Sequence, residues 1–289
     1  MSVDPGPVRR WVVAARPRTL PAAAVPVVLG TLSVRPGPVV FYRAALALVV
    51  ALSLQIATNY ANDYSDGVRG TDAQRVGPFR LTASGLVPAR RVRAAAIGWF
   101  LVAALSGLIL ASVSSWWLVA VGASAIAAGW FYTGGPKPYG YFGWGEFFVF
   151  VYFGMVATVG SAYVQGCHLI ARSWWLGAAA GAMACVLLEA NNLRDVEGDR
   201  ETGKKTLAAR LGRRRATALP ILFVAVTAVG FVGANLPWVA LATLVVYVPV
   251  LRRALSDAAG RALLPMLRDS ARAQLALGTV AGLWLLIHP

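Results

Sequence analysis

Residues 44–66 read AALALVVALSLQIATNYANDYSD: an apolar run from Ala44 to Ile56 passes, with no glycine or proline between, into Asn59, Asn62, Asp63 and Asp66. The first part has the composition of a membrane span, and the second sets amides and carboxylates where that span ends. Asn59, Asn62, Asp63 and Asp66 are related by steps of three and four, so a helix that continues to Asp66 carries them on one face. The chain then runs on as GVRGTDAQRVGPFR, adding Asp72 and the arginines Arg69, Arg75 and Arg80. Such grouping of acids among cations is unusual in a chain this apolar.

With 58% hydrophobic and 13% charged residues, the chain cannot cover a water-soluble surface of its size. It reads instead as an all-α polytopic membrane protein whose apolar runs reach the roughly 20 residues that cross a bilayer. Nine candidate spans fall near residues 16–35, 41–61, 93–112, 116–133, 145–165, 174–194, 217–235, 237–251 and 271–288. The eighth is short, and the first contains Pro21 and Pro26. With a cytoplasmic amino terminus, this count puts 24 of the 27 Lys and Arg residues in inside segments, leaving Arg35, Arg43 and Arg172 outside. That asymmetry is the expected signature of orientation, and it puts the carboxyl terminus outside. The basic amino-terminal stretch ends in no small-residue cleavage site, so the first apolar run reads as a retained helix.

A net charge of +15 distributed over alternate loops is explained by orientation and anionic lipid headgroups, not by nucleic acid. Cys167 and Cys185 indicate neither a disulfide framework nor a zinc site, and His168 and His288 are solitary.

Eight of the twelve acids lie in two stretches, Asp63–Asp72 and Glu189–Glu201, each at the cytoplasmic end of a span. In the second, NNLRDVEGDRETGKKTLAARLG, Asn191, Asp195 and Asp199 recur at four-residue steps and again share a face. Two helices thus offer amide and carboxylate oxygens at one depth. Carboxylates brought so close resist ionising unless a positive charge lies among them, and a hard divalent cation, Mg²⁺, is the economical one. Arg69, Arg75, Arg80, Lys204 and Lys205 supply the complement, since metal and cations together suit a diphosphate that an all-acid pocket would repel.

The third loop on that side, FYTGGPKPYGYFGWGE, offers the aromatic faces of Tyr132, Tyr139 and Tyr141 to a cationic intermediate, and Lys137 to an acidic substrate. Glu146 reads as a structural acid at the start of the next helix.

NDYSDGVRGTD, RVGPFRL, YTGGPKPYGY and the second acidic stretch, together with RPRTLPAAAVPVVLG from Arg16, resemble the signatures of the UbiA superfamily of intramembrane prenyltransferases, and within it the branch that prenylates 1,4-dihydroxy-2-naphthoate in menaquinone biosynthesis. The resemblance covers the chain from about Arg16 to the last span. It implies a nine-helix bundle with a central cavity opening to the cytoplasmic side, formed as one prenyltransferase domain over residues 16–289 after a cytoplasmic segment, 1–15. It further implies Mg²⁺ and a polyprenyl diphosphate held by Asn62, Asp63, Asp66 and Asp72 with Asn191, Asp195 and Asp199, and a location in the bacterial plasma membrane. The broad superfamily pattern has an acid where this chain has Gly70, so Asp72 stands two positions beyond the place the pattern gives to an acid. The implied reaction joins the allylic carbon of the donor to the carboxylate-bearing carbon of the naphthoate, with loss of carbon dioxide, and gives demethylmenaquinone. Lys137, Arg16 and Arg18, in that order, are the candidates for holding the acceptor carboxylate.

Other readings are a related enzyme that uses 4-hydroxybenzoate, a phosphoalcohol transferase, and a divalent-cation transporter. A phosphoalcohol transferase would confine its acids to one region. A transporter would place ionisable residues along the middle of the spans, which are almost free of charge here. One motif loop after the second span of each four-span group also suggests a duplicated four-helix unit with a ninth helix added.

Overall fold

The computed structural model describes residues 6–71 and 79–288. These are 79% helical and contain no strand. In chain order the helices are α1 (Pro7–Ala14), α2 (Pro21–Leu32), α3 (Phe41–Arg69), α4 (Ala89–Ser112), α5 (Trp117–Phe131), α6 (Gly145–Val149), α7 (Ala157–Gly166), α8 (Ala171–Glu201), α9 (Leu207–Leu211), α10 (Arg213–Ala216), α11 (Ala218–Gly233), α12 (Pro237–Val246), α13 (Val248–Leu255) and α14 (Leu264–Ile287). A π-helical stretch, Phe150–Val156, joins α6 to α7 in one continuous rod.

Among the described residues six helices are long and apolar enough to cross a membrane, or up to eight if each bent pair counts as one span. The two bent pairs fall where the first and eighth spans are expected. Before α2 the chain bends by 52°. Pro17 and Pro21 bring no N–H to a helical ladder there, and Arg16 takes a left-handed φ of 55°. Between α12 and α13 the bend is 41°, just ahead of Pro249. The remaining expected span, α5, is apolar throughout but has only 15 residues, fewer than a bilayer normally requires.

Helix α8 is the hub. Leu176, Ala180, Met183, Val186, Ala190 and Leu193 are buried in a core shared with α2, α11, α12 and α14. Small residues let its neighbours approach: a Cβ added to Gly154 would lie 2.4 Å from the Cα of Gly181. The rod from α6 to α7 therefore crosses α8 backbone to backbone. Around this hub, side chains such as Leu101, Leu105, Ile109, Val229, Leu241 and Val245 face outward, as lipid-facing positions should.

Helices α3 and α8 both outlast their apolar runs, ending at Arg69 and Glu201. Each therefore carries its acidic motif as rigid helix beyond the oily segment. The four-residue spacing is thus a true helical face.

Candidate active site

A cavity of about 280 Å³ lies between α2, α3, α4, α5, the α6–α7 rod and α8. Along α3 its wall runs from Ala47 to Asn62, fifteen steps along the helix, or about 22 Å at 1.5 Å per residue. The far end is lined by Val27, Ala47, Leu110, Leu118 and Val164, which pack together. Much of the wall is small, with Gly107, Gly122, Ala125 and Gly160 leaving room that larger side chains would fill.

Apart from the hydroxyls of Thr58, Tyr152 and Ser161, polarity gathers toward the other end, in two tiers. The first is a set of amides lining the cavity: Asn59 and Asn62 from α3 and Asn191 from α8. Thr133 Oγ1 donates to Asn62 Oδ1 at 2.8 Å, and Asn191 Nδ2 donates to the Leu187 carbonyl at 3.3 Å. Asn59 Nδ2 donates to the Ala15 carbonyl at 2.9 Å and to Thr19 Oγ1 at 3.2 Å, while Gln55 Nε2 donates to the same hydroxyl at 2.7 Å. These bonds fasten the turn at residues 15–19 to α3. They set Arg16 in the cavity wall, where its Nη2 is buried with no hydrogen-bond partner among the described residues.

The second tier, one turn farther along each helix, is the carboxylates. Asp66 is buried. Its Oδ1 accepts the Tyr141 hydroxyl at 2.6 Å, and its Oδ2 faces Lys204 Nζ at 3.5 Å and Arg80 Nη2 at 3.9 Å. Asp195 takes a bidentate pair from the buried guanidinium of Arg194, both bonds at 2.7 Å. Asp199 accepts the Thr206 hydroxyl at 3.2 Å, and its carbonyl accepts the Lys204 N–H at 2.7 Å. Lys204 thus reaches the first motif with its side chain and the second with its main chain. Two motifs more than a hundred residues apart meet at one residue.

Asp63 stands differently. Its two oxygens accept the backbone N–H groups of Leu81 and Thr82, at 2.8 and 2.9 Å. One turn on, a Cβ at Gly67 would lie 2.5 Å from Thr82 Cβ, so only glycine lets the returning chain lie against α3 there. Asp63 and Gly67 clamp the loop that brings Arg80 beside Asp66.

The aromatic loop divides. Tyr132 and Tyr139 line the cavity, their rings edge to face at 5.5 Å, with Tyr139 stacked on Phe148 at 4.0 Å. Tyr141 faces the carboxylates instead, its ring 4.6 Å from Lys204 Nζ and 5.6 Å from the Arg69 guanidinium. Arg69 also donates to the Thr133 and Gly135 carbonyls. Lys137 and Arg18 are exposed and do not line the cavity, and Lys205 is exposed with its N–H on the Tyr141 carbonyl at 2.8 Å. Asp72 and Arg75 lie outside the described residues.

Several contributors escape a reading by acids alone: Gln55, Thr19, Thr133, Arg194 and Thr206. Gln55 and Asn59 do carry a signal in the sequence, as two polar side chains one turn apart in an otherwise oily span. Glu146 is buried and accepts the Asn192 amide at 2.9 Å, which keeps it structural.

Among the described residues no three acids, histidines or cysteines converge on a metal position. The donor chemistry nevertheless suits Mg²⁺, which uses one or two carboxylates and completes its shell with water and substrate phosphate oxygens.

A family model described as the UbiA prenyltransferase family matches residues 23–285. The chain is 47% identical to the 1,4-dihydroxy-2-naphthoate octaprenyltransferase of Mycobacterium tuberculosis (strain ATCC 25618 / H37Rv), covering 92% of this chain and 93% of that protein. It is 44% identical to the protein of the same name from Mycobacterium leprae (strain TN), covering 90% of each. The fold is similar to the structure of a UbiA homolog from Archaeoglobus fulgidus bound to GPP and Mg²⁺, with a TM-score of 0.68 and 15% identity over 94% of this chain and 99% of that one.

Proposed function

The chain belongs to the UbiA prenyltransferase family, and from that membership we propose how its site performs the reaction. The protein transfers a polyprenyl group from polyprenyl diphosphate to 1,4-dihydroxy-2-naphthoate in menaquinone biosynthesis, releasing carbon dioxide and diphosphate and leaving the prenylated ring at the hydroquinone level, the reduced form of demethylmenaquinone. One observation carries the site: Lys204 ties Asp66 of the first motif to Asp199 of the second, directly above an apolar tunnel.

The donor lies with its tail in the tunnel and its diphosphate among Arg69, Arg80 and Lys204, with Lys205 reaching it from its loop; Arg75, which the sequence adds to this set, lies outside the described residues. Asn62, Asp66, Asn191, Asp195 and Asp199 would hold a divalent ion, Mg²⁺ in our reading, which would supply charge neutralisation to the departing diphosphate, and Asp72, which the sequence adds to this set, lies outside the described residues. Asp63 supports this set as the clamp of the Arg80 loop.

The acceptor sits at the amide tier. Arg16, with its unpartnered Nη2, takes the carboxylate in place of the exposed Lys137 and Arg18. As the C1–oxygen bond of the donor breaks, Tyr132 and Tyr139 turn ring faces to the allylic cation. The carboxylate-bearing ring carbon attacks C1. The bond to the carboxylate then breaks, its electron pair restores the aromatic ring, and carbon dioxide leaves. Carbon dioxide departs where a proton otherwise would, so no general base is required. The apolar tunnel keeps water from the cation.

We propose nine crossings, with each bent pair and the short α5 counted as one. The amino terminus is cytoplasmic, the carboxyl terminus outside, and the acid tier at the cytoplasmic face of the plasma membrane. Residues 16–289 form one domain after the segment 1–15. The test is prenyl transfer in nanodiscs with Mg²⁺, a polyprenyl diphosphate and either 1,4-dihydroxy-2-naphthoate or 4-hydroxybenzoate, for wild type and Asp66→Asn. The expected result is product from the naphthoate alone and a loss of about a hundredfold or more in the variant. Full activity in Asp66→Asn would overturn the site.

A further inference from the structure

Tyr141 touches all three loops that border the carboxylate tier. Its hydroxyl donates to Asp66 Oδ1 at 2.6 Å and meets Thr71 Oγ1 at 3.3 Å. Its ring carries Lys204 Nζ at 4.6 Å and the Arg69 guanidinium at 5.6 Å, within the range of cation–π attraction. Its carbonyl accepts the Lys205 N–H at 2.8 Å, and its own N–H donates to the Pro138 carbonyl at 3.0 Å. The tyrosine sits in a short 3₁₀ turn, Tyr139–Phe142, ended by Gly143 at a φ of 75°. Unlike Tyr132 and Tyr139, it does not line the cavity.

These contacts do two things. A free carboxylate rotates about its last bond and offers either oxygen. With Oδ1 occupied by Tyr141, Asp66 is held so that Oδ2 points to the side where Lys204 and Arg80 converge. An ion that demands near-ideal octahedral geometry gains from a ligand oriented in advance. The ring meanwhile fixes two cations whose long stems would otherwise wander.

We propose that Tyr141 is a positioning residue of the donor site: its hydroxyl orients Asp66 for the divalent ion, and its ring holds Arg69 and Lys204 for the diphosphate. The proposal rests on the donor-site reading above. It separates the two halves of one side chain, because phenylalanine keeps the ring and loses the hydroxyl, whereas leucine loses both.

The experiment titrates Mg²⁺ into wild type, Tyr141→Phe and Tyr141→Leu in the presence of geranyl diphosphate, reading the thermal unfolding midpoint and, in parallel, prenyl transfer to 1,4-dihydroxy-2-naphthoate. Tyr141→Phe should raise the half-saturating Mg²⁺ concentration about tenfold in both readouts. Its metal-free midpoint and its donor KM at saturating Mg²⁺ should stay at wild-type values. Tyr141→Leu should raise the donor KM as well. A wild-type Mg²⁺ requirement in Tyr141→Phe overturns the role of the hydroxyl, and a metal-free midpoint that falls in step with activity reduces Tyr141 to a packing residue. A wild type with no Mg²⁺ response removes the donor-site reading and this role together, whereas a response that Tyr141→Phe shares removes the Tyr141 role alone.

Discussion

Asp63 and Asp66 are three residues apart in one motif, yet the structure gives them different partners, and Asp63→Asn tests the difference. Both Asp63 oxygens accept backbone N–H groups, from buried Leu81 and from half-buried Thr82. Asparagine can accept only one of these and turns its own NH₂ toward the other. One charge-assisted bond is lost and one peptide N–H is left facing a donor, at a cost of about 2–3 kcal/mol. At roughly 2–4 °C per kcal/mol, the thermal midpoint in detergent should fall by about 5–10 °C. Arg80 immediately precedes Leu81, so loosening the clamp frees it from Asp66 and should raise the donor KM. The Mg²⁺ requirement should hold at its wild-type value. The assays are a thermal scan without ligand and steady-state prenyl transfer well below the lowered midpoint, with Mg²⁺ and donor varied separately. An unchanged midpoint with a Mg²⁺ requirement raised tenfold or more would remove the clamp and make Asp63 a metal ligand instead.

Gly67→Ala should reproduce the Asp63→Asn pattern, since its Cβ would lie 2.5 Å from Thr82 Cβ; a wild-type midpoint and donor KM would show that the loop is held elsewhere. Arg16→Gln should raise the naphthoate KM by about thirtyfold through loss of a charge-assisted contact worth roughly 2 kcal/mol, leaving the donor KM alone, and equal effects on both substrates would remove Arg16 from the acceptor side. Gly122→Phe fills open space in the tunnel wall. It should cut kcat/KM for octaprenyl diphosphate by about tenfold or more. Equal activity with wild type on that donor would show that the tail takes another route.

Much of this arrangement is legible in the amino-acid sequence. The steps of three and four in Asn59, Asn62 and Asp66, and of four in Asn191, Asp195 and Asp199, are helical faces, and helices α3 and α8 do run on to carry them. The bends at the first and eighth spans fall near prolines. Periodicity does not separate Asp63 from Asp66. Both are acids at helical spacing, and the difference lies in where residues 81 and 82 return, a contact eighteen residues away that local spacing does not encode. The same limit governs the acceptor side. Lys137 reads as the better cation because lysine is rare here, but the turn at residues 15–19, tied down by Gln55 and Asn59, puts Arg16 in the wall and leaves Lys137 outside.

The division of the site into tiers has a chemical consequence. A reaction through an allylic cation needs strong fields where the diphosphate departs and weak nucleophiles everywhere else, because water or a carboxylate close to C1 would capture the cation. Asp63, Asp66, Asp195 and Asp199 all stand off the cavity lining, and each is engaged by a cation, a hydroxyl or a backbone N–H. The cavity itself offers amides, a few hydroxyls such as Thr58 and Ser161, aromatic rings and aliphatic walls, with Arg16 the one charged side chain among the described residues that line it. Amides orient through hydrogen bonds without competing as nucleophiles. The four-residue step from Asn62 to Asp66, and from Asn191 to Asp195, sets the carboxylates about 6 Å along each helix beyond the amides that line the cavity. Moving a carboxylate back by one turn, as in Asn62→Asp, would put an anion within the acceptor tier and should lower product yield in favour of hydrolysed prenol, a ratio that chromatography of the reaction products reads directly.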